Sequence, residues 1–157
     1  DIANEIMNSY DKAPKFTVRK MNKGESPHYI PTLHEMVLPL VEQYQEKYNG
    51  TGHLHWFKTF GHEGSHSTGH KDILGREGVT DLSKWEGHKE RYANEELIAE
   101  IGASMLMSWH GFNYAKTIEN TQAYINGWYS KLKDDPSIIT SALREGSRAF
   151  CTMMNIK

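Results

Sequence analysis

The run His62-Glu63-Gly64-Ser65-His66 restricts these 157 residues more than any other stretch. A helix advances 3.6 residues per turn, so two histidines four apart face the same way when the backbone between them is helical. Both imidazoles can then hold one divalent ion from one face. A single Zn²⁺ is expected, because two imidazoles and a carboxylate leave the fourth tetrahedral position open for water. Glu63 follows the first histidine directly and points beside such an ion rather than at it, where a general base for the water belongs. The chemistry implied is metal-assisted hydrolysis, most often of a peptide bond. Gly64 and Ser65 oppose the helix by about 1 and a few tenths of a kcal/mol relative to alanine. Trp56, Phe57 and Phe60 favour it, because they give the segment an apolar stripe to bury. Gly64 is also expected to admit the close approach of another backbone.

One domain spanning 1–157 is expected from the length, with a sizeable core. The hydrophobic fraction of 38% fits a globular chain, and the formal net charge of −2 gives no electrostatic case for nucleic-acid binding. Lys12, Lys15, Arg19, Lys20 and Lys23 cluster near the start and read as a solvated strand face. A single cysteine, Cys151, excludes an internal disulfide and is compatible with a reducing, cytoplasmic location. No apolar run approaches the ~20 residues that a membrane-spanning helix needs, and no signal peptide is visible. A chain beginning at Asp1 rather than Met is expected to be a fragment of something longer.

The element reading is α+β. Residues 2–10 read as a short helix. Lys15 to Lys20 alternates as a strand does, and Tyr29-Ile30 and Met36-Val37-Leu38 read as two more strands, suggesting a small, mostly antiparallel sheet. Pro39 can open a helix carrying Leu40, Val41 and Tyr44, broken at Asn49-Gly50-Thr51-Gly52. The metal helix is expected from about His53 to Ser67. Residues 70–90, with Asp72, Gly75, Arg76, Gly78, Asp81 and Gly87, read as a long polar loop, either a flap over the metal or a solvated connection. Arg91 to Trp109 is a helix with Leu97, Ile98, Ile101, Met105 and Trp109 as its stripe, ended by Gly111. Asn120 to Leu132 is another, with Tyr124, Ile125, Trp128 and Leu132 inward. Asp135-Pro136 opens a last one, carrying Ile139, Ala142, Leu143, Ala149, Phe150 and Met153.

Two histidines need a third ligand. Glu96 and Glu100 are four apart and share a face beside the apolar stripe of the Arg91–Trp109 segment. Glu96 is assigned as ligand, and Glu100 as the carboxylate that holds the other ring nitrogen of a ligating histidine and fixes its tautomer. A more compact set stays open at this point, in which Gly69 turns the chain and Asp72 is the third ligand, with His70 a further possibility. His88 or Tyr92 could reach a developing oxyanion.

Taken in order, several pieces resemble the zincin-like metallopeptidase domain of ArdC-type antirestriction and polyvalent proteins of phages and plasmids. They are Ser26-Pro27-His28-Tyr29-Ile30-Pro31, Met36-Val37-Leu38-Pro39, Gln43-Tyr44, the run His62 to His70, Tyr92 to Ala103, and Ala123 to Trp128 followed by Leu132 and Asp134-Asp135. The resemblance implies a zincin fold, with a small mixed sheet, a metal helix, a second helix carrying the third ligand and further C-terminal helices. It implies His62, His66 and Glu96 as ligands and Glu63 as the base, favouring Glu96 over Asp72. It also implies a mobile-element role, a peptide or protein substrate, and DNA contact only through an N-terminal single-stranded-DNA-binding domain that is not among these residues. Gly64, Ser65 and Ser67 depart from the bulkier residues expected in the metal helix. The alternative function is a non-catalytic, metal-stabilised module that occupies a host protein or protein–DNA complex.

Overall fold

The helix that the two histidines require runs from Gly52 to Thr68. The computed structural model describes residues 1–80, 88–112, 119, 121–123, 125–127 and 135–157. The elements in order are α1 (Ile2–Ser9), β1 (Lys15–Arg19), β2 (His28–Ile30), β3 (Glu35–Pro39), α2 (Val41–Tyr48), α3 (Gly52–Thr68), α4 (Glu77–Thr80), α5 (His88–Trp109) and α6 (Ser137–Met153). This is an α+β chain in which a three-stranded sheet supports a mainly helical body.

The strand order is β1-β3-β2. β3 is the middle strand, and its Met36 and Leu38 are fully buried. β2 pairs antiparallel with it, His28 opposite Val37 and Ile30 opposite Glu35. β1 pairs parallel with it, from Lys15 opposite Glu35 to Arg19 opposite Pro39. The sheet is therefore mixed, as the family resemblance implies, which corrects the mostly antiparallel expectation from the strand pattern. The reason is connectivity: β2 crosses to the far side of β3, so the chain between β1 and β3 is a long excursion, and parallel neighbours need a dozen or more connecting residues. Pro39 closes β3 instead of opening a helix, and α2 starts at Val41. Lys15 and Arg19 of the early basic residues are paired at the surface, Lys15 with Glu35 at 2.9 Å and Arg19 with Glu25, while Lys12 donates to the Asp72 carbonyl at 3.0 Å.

The apolar stripe of α3 packs onto the sheet. Phe60, fully buried, meets Phe16 of β1 edge-on at 5.6 Å and stacks with Phe57 and Trp56 at 5.7 and 6.1 Å. The Trp56 indole N–H donates to the Pro39 carbonyl at 2.7 Å, tying α3 to the end of β3. On its other side α3 meets α5 through small residues. A Cβ on Gly61 would lie 3.1 Å from the Ala103 Cα, and one on Gly102 would lie 3.1 Å from the Ser65 Cβ. With no such atoms, the two helices approach closely. Leu97, Ile98 and Ile101 of α5 pack with Ala142 of α6. Trp109 and Leu143 point outward instead, 62% and 49% exposed, and the Trp109 ring leans on Phe150. In the stretch read as a helix from 120 to 132 the described residues are helical, but Ile125 is exposed; Tyr124, Trp128 and Leu132 lie outside the described residues.

Residues 70–80 form a packed turn and a short helix, with Arg76 and Val79 buried and Lys71, Asp72, Gly75, Glu77 and Thr80 exposed. Gly69 leads into a tight turn in which the Leu74 amide donates to the Thr68 carbonyl and the Arg76 amide to the Gly69 carbonyl, both at 3.0 Å. The glycines serve close packing: a Cβ on Gly69 would meet Val79 at 2.6 Å and one on Gly78 would meet the Glu95 Cβ at 2.6 Å, while Gly75 has φ +59°. α5 already includes His88, inside the stretch read as loop, and residues 81–87 of that stretch, with Asp81 and Gly87, lie outside the described residues. Among the described residues no helix is long and apolar enough to cross a membrane.

Candidate metal centre

On α3 the two histidines face α5, and on α5 Glu96 and Glu100 face back. Glu96 reaches the same point as both imidazoles. Its carboxylate oxygens lie 3.4 Å from His62 Nε2 and 3.2 Å from His66 Nε2, and the two Nε2 atoms are 3.2 Å apart. One donor atom from each of the three residues falls within 4.8 Å of the others. Two nitrogens and a carboxylate so disposed fit a divalent ion with an open position.

Each imidazole is held from behind. Glu100 faces His62 Nδ1 at 3.5 Å and is itself fixed by Lys58 at 2.5 Å and by the Thr121 hydroxyl at 2.8 Å. Glu95 faces His66 Nδ1 at 3.1 Å. Arg76 grips Glu95 with two hydrogen bonds of 2.9 and 2.8 Å. Arg76 and Glu95 are 8% and 3% exposed, and removing one partner of such a pair costs about 3–5 kcal/mol. Backing carboxylates of this kind hold the imidazole orientation and increase its basicity toward a metal.

Glu63 is buried. It sits where two clefts meet, one of about 450 Å³ with Tyr29, Val79 and Tyr92 in its wall, the other of about 330 Å³ with Tyr44, Tyr48 and Lys58; His62 and Pro27 border both. The Tyr92 hydroxyl hydrogen-bonds Glu96; burial and the Glu96 charge raise its pKa, so the phenol stays protonated. His88 opens α5, but its side chain lies outside the described residues. Asp72 and His70 are elsewhere. The Asp72 side chain is 68% exposed and lies 3.8 Å from His70 Nδ1, and the His70 ring packs on His34 at 4.3 Å.

Electrostatics couple the cluster to pH. Burial disfavours a charged His62, but the Glu100 and Glu96 carboxylates outweigh it and push its pKa up to about 10. Burial likewise opposes charge on His66, and Glu95 and Glu96 overcome it, raising its pKa. Burial would raise the carboxylates, but His62 and His66 hold Glu96 far below the usual range, and His62 with Lys58 brings Glu100 down to about 2. At neutral pH, without metal, His62 holds a proton that a metal must displace. Binding of Zn²⁺ is therefore expected to release protons. Its apparent affinity should rise with pH from the ordinary histidine value of 6.5 toward 10, by up to about tenfold per pH unit for each displaced proton. Calorimetry in buffers of different ionisation enthalpy checks this; an affinity independent of pH over that range would refute it. In the metal-free fold the raised His62 contributes stability fully below pH 6.5 that is lost through about 10. The lowered Glu100 contributes stability above 4.5 that is lost toward 2. These two groups together favour the window between 4.5 and 6.5.

Glu95 and Arg76 escaped the sequence reading. Glu95 is next to Glu96 and so about 100° away around the helix, which reads as a flanking solvent position. Arg76 is surrounded by glycines that signal a loop. No signal in the sequence pointed to it, because Gly69, Gly75 and Gly78 are equally compatible with a loop and with close packing.

The chain belongs to the zincin-like metallopeptidases, whose family model matches residues 10–145. Among solved structures it is similar to the antirestriction protein ArdC from the R388 plasmid. The Mn(II)-bound crystal structure of that protein superposes with a TM-score of 0.70 at 25% identity, over 99% of this chain and 51% of that one. Its metal-free structure gives 0.66 at 25% identity, over 99% and 50%. The chain thus spans about half the length of those proteins. No curated protein matches it significantly.

Proposed function

We propose that this chain is a zinc-dependent peptidase domain with His62, His66 and Glu96 as the metal ligands and Glu63 as general base. The observation that carries the reading is the convergence of those three donors beside Glu63 at the meeting of two clefts. A divalent ion there supplies Lewis acidity toward the scissile carbonyl and lowers the pKa of water toward ~7. Glu63 takes the proton from the attacking water and passes it to the leaving amide nitrogen. Tyr92, kept as a phenol at the cleft wall, is placed to donate to the developing oxyanion. β2 is the outer strand on the cleft side of the sheet, and an extended peptide adds to its edge through main-chain hydrogen bonds. Glu100 and Glu95 orient the two imidazoles.

The likeness to the antirestriction protein ArdC of a plasmid supports an antirestriction-type role in a mobile element; the proposed role is action on a host protein in the cytoplasm. The test is cleavage of a peptide library read by mass spectrometry. Protein loaded with Zn²⁺ or Mn²⁺ is expected to cleave; chelation should abolish cleavage, reloading should restore it, and His62→Ala should bind neither ion. Cleavage that survives full removal of metal would sink the reading.

A further inference from the structure

The Arg76 guanidinium is buried between the last turn of α3 and the flank of α5. Its Nε and Nη2 donate to the two oxygens of Glu95 at 2.9 and 2.8 Å. Its Nη1 donates to the Thr68 hydroxyl at 2.8 Å and its Nη2 to the Ser65 carbonyl at 2.6 Å. The cation therefore also completes the C-terminal end of α3, where carbonyls lack intrahelical donors and the helix dipole favours positive charge. A planar fork gripped on two elements has one orientation, and so does the carboxylate it holds. The Glu95 oxygen bonded to Nη2 is the same atom that faces His66 Nδ1 at 3.1 Å. The backbone is shaped around this pair: a Cβ on Gly69 would lie 3.0 Å from Arg76 Nη2, and Gly78 lets α4 pass against Glu95.

We infer that Arg76 is a positioning residue for metal binding: by fixing Glu95 it locks the His66 ring, keeps a proton on Nδ1 and turns Nε2 toward His62 and Glu96. The segment from 69 to 80 is then a strut of the metal centre, and the inference rests on the metal-centre reading above. Neither Arg76 nor Glu95 touches the point where the three donors converge, so their contribution is orientation.

The experiment measures Zn²⁺ and Mn²⁺ dissociation constants by competition with a chelating dye, together with thermal unfolding of the metal-free proteins. It compares the wild type with Arg76→Met, Arg76→Lys and the double variant Arg76→Met/Glu95→Leu. Loss of a group that orients a ligand typically weakens metal binding 10–100-fold. Arg76→Met is expected to bind about tenfold more weakly, Arg76→Lys less so, and the double variant at least as weakly as Arg76→Met. The double variant buries no unpaired charge and is expected to recover thermal stability that Arg76→Met loses. Its metal affinity should not recover, a separation that a purely structural role would not give. In the Zn²⁺-loaded wild type, ¹⁵N-edited spectra should show His66 bound through Nε2 with a slowly exchanging Nδ1–H. Folded variants that bind both ions as tightly as the wild type would overturn the inference. So would a wild-type His66 whose Nδ1–H exchanges at the solvent rate, a result that needs no variant to fold. A wild type that binds neither ion would overturn the metal centre and this inference together; equal binding by wild type and variants overturns only the inference.

Discussion

Glu63→Gln is expected to leave Zn²⁺ uptake unchanged and to slow peptide hydrolysis by about 10²–10⁴-fold. Glutamine keeps the shape of the side chain, so the buried position at the meeting of the clefts stays filled. What it removes is an oxygen able to take a proton from water and return it to the leaving nitrogen. The His62, His66 and Glu96 donors do not include Glu63, which is why affinity and rate should separate. Dye competition gives the first, and turnover of the best library peptide gives the second. A variant that loses metal would make Glu63 a ligand. One that cleaves at the wild-type rate would remove it from the proton transfer.

Gly102→Val should damage stability and metal binding together. A valine Cβ there would collide with the Ser65 hydroxyl, which is fully buried and donates to the Gly61 carbonyl at 2.7 Å. Overpacking of this kind costs about 1–3 kcal/mol, which in a domain of this size lowers Tm by about 2–12 °C. Rotating the Ser65 hydroxyl away breaks its bond to Gly61 and still leaves the Ser65 Cβ at 3.1 Å, so the helices are expected to move apart, and this contact holds Glu96 and Glu100 of α5 against His62 and His66 of α3. Weaker Zn²⁺ binding should therefore accompany the lower Tm. Gly127→Ala is the control: an added Cβ there meets no described residue within 4 Å, and alanine favours the helix by about 1 kcal/mol. If Gly102→Val bound metal as the wild type does, the α3–α5 spacing would not be what sets the site.

Much of this arrangement could be read from residue spacing, because it rests on local periodicity. The interval between His62 and His66, the stripe of Trp56, Phe57 and Phe60, and the interval between Glu96 and Glu100 each follow from the pitch of one helix. The strands were equally readable, β1 from alternation and β2 and β3 from short apolar runs punctuated by Pro31 and Pro39, but the direction of β1 was not. Alternation looks the same in parallel and antiparallel pairs, and the crossing of β2 to the far side of β3 leaves no local mark. Trp109 and Leu143 follow the helical period of their neighbours yet are largely exposed, because periodicity marks a face of one helix and not what packs against it.

The Gly-rich stretch after His66 separates the two kinds of information most sharply. Gly69, Gly75 and Gly78 state in sequence only that the backbone is permissive there. Whether that freedom serves motion or close approach depends on what lies opposite, and here it is Val79, the Arg76 guanidinium and the α5 backbone. By itself the sequence determined the helix that carries two imidazoles, the carboxylate pair on a second helix and the α+β class, all of them regularities within one element. Tertiary structure alone decided the strand order and which strand runs parallel, the glycine-spaced crossing of α3 on α5 and the Arg76–Glu95 clamp behind His66. Those depend on distances between segments far apart in the chain, and such distances are set by packing.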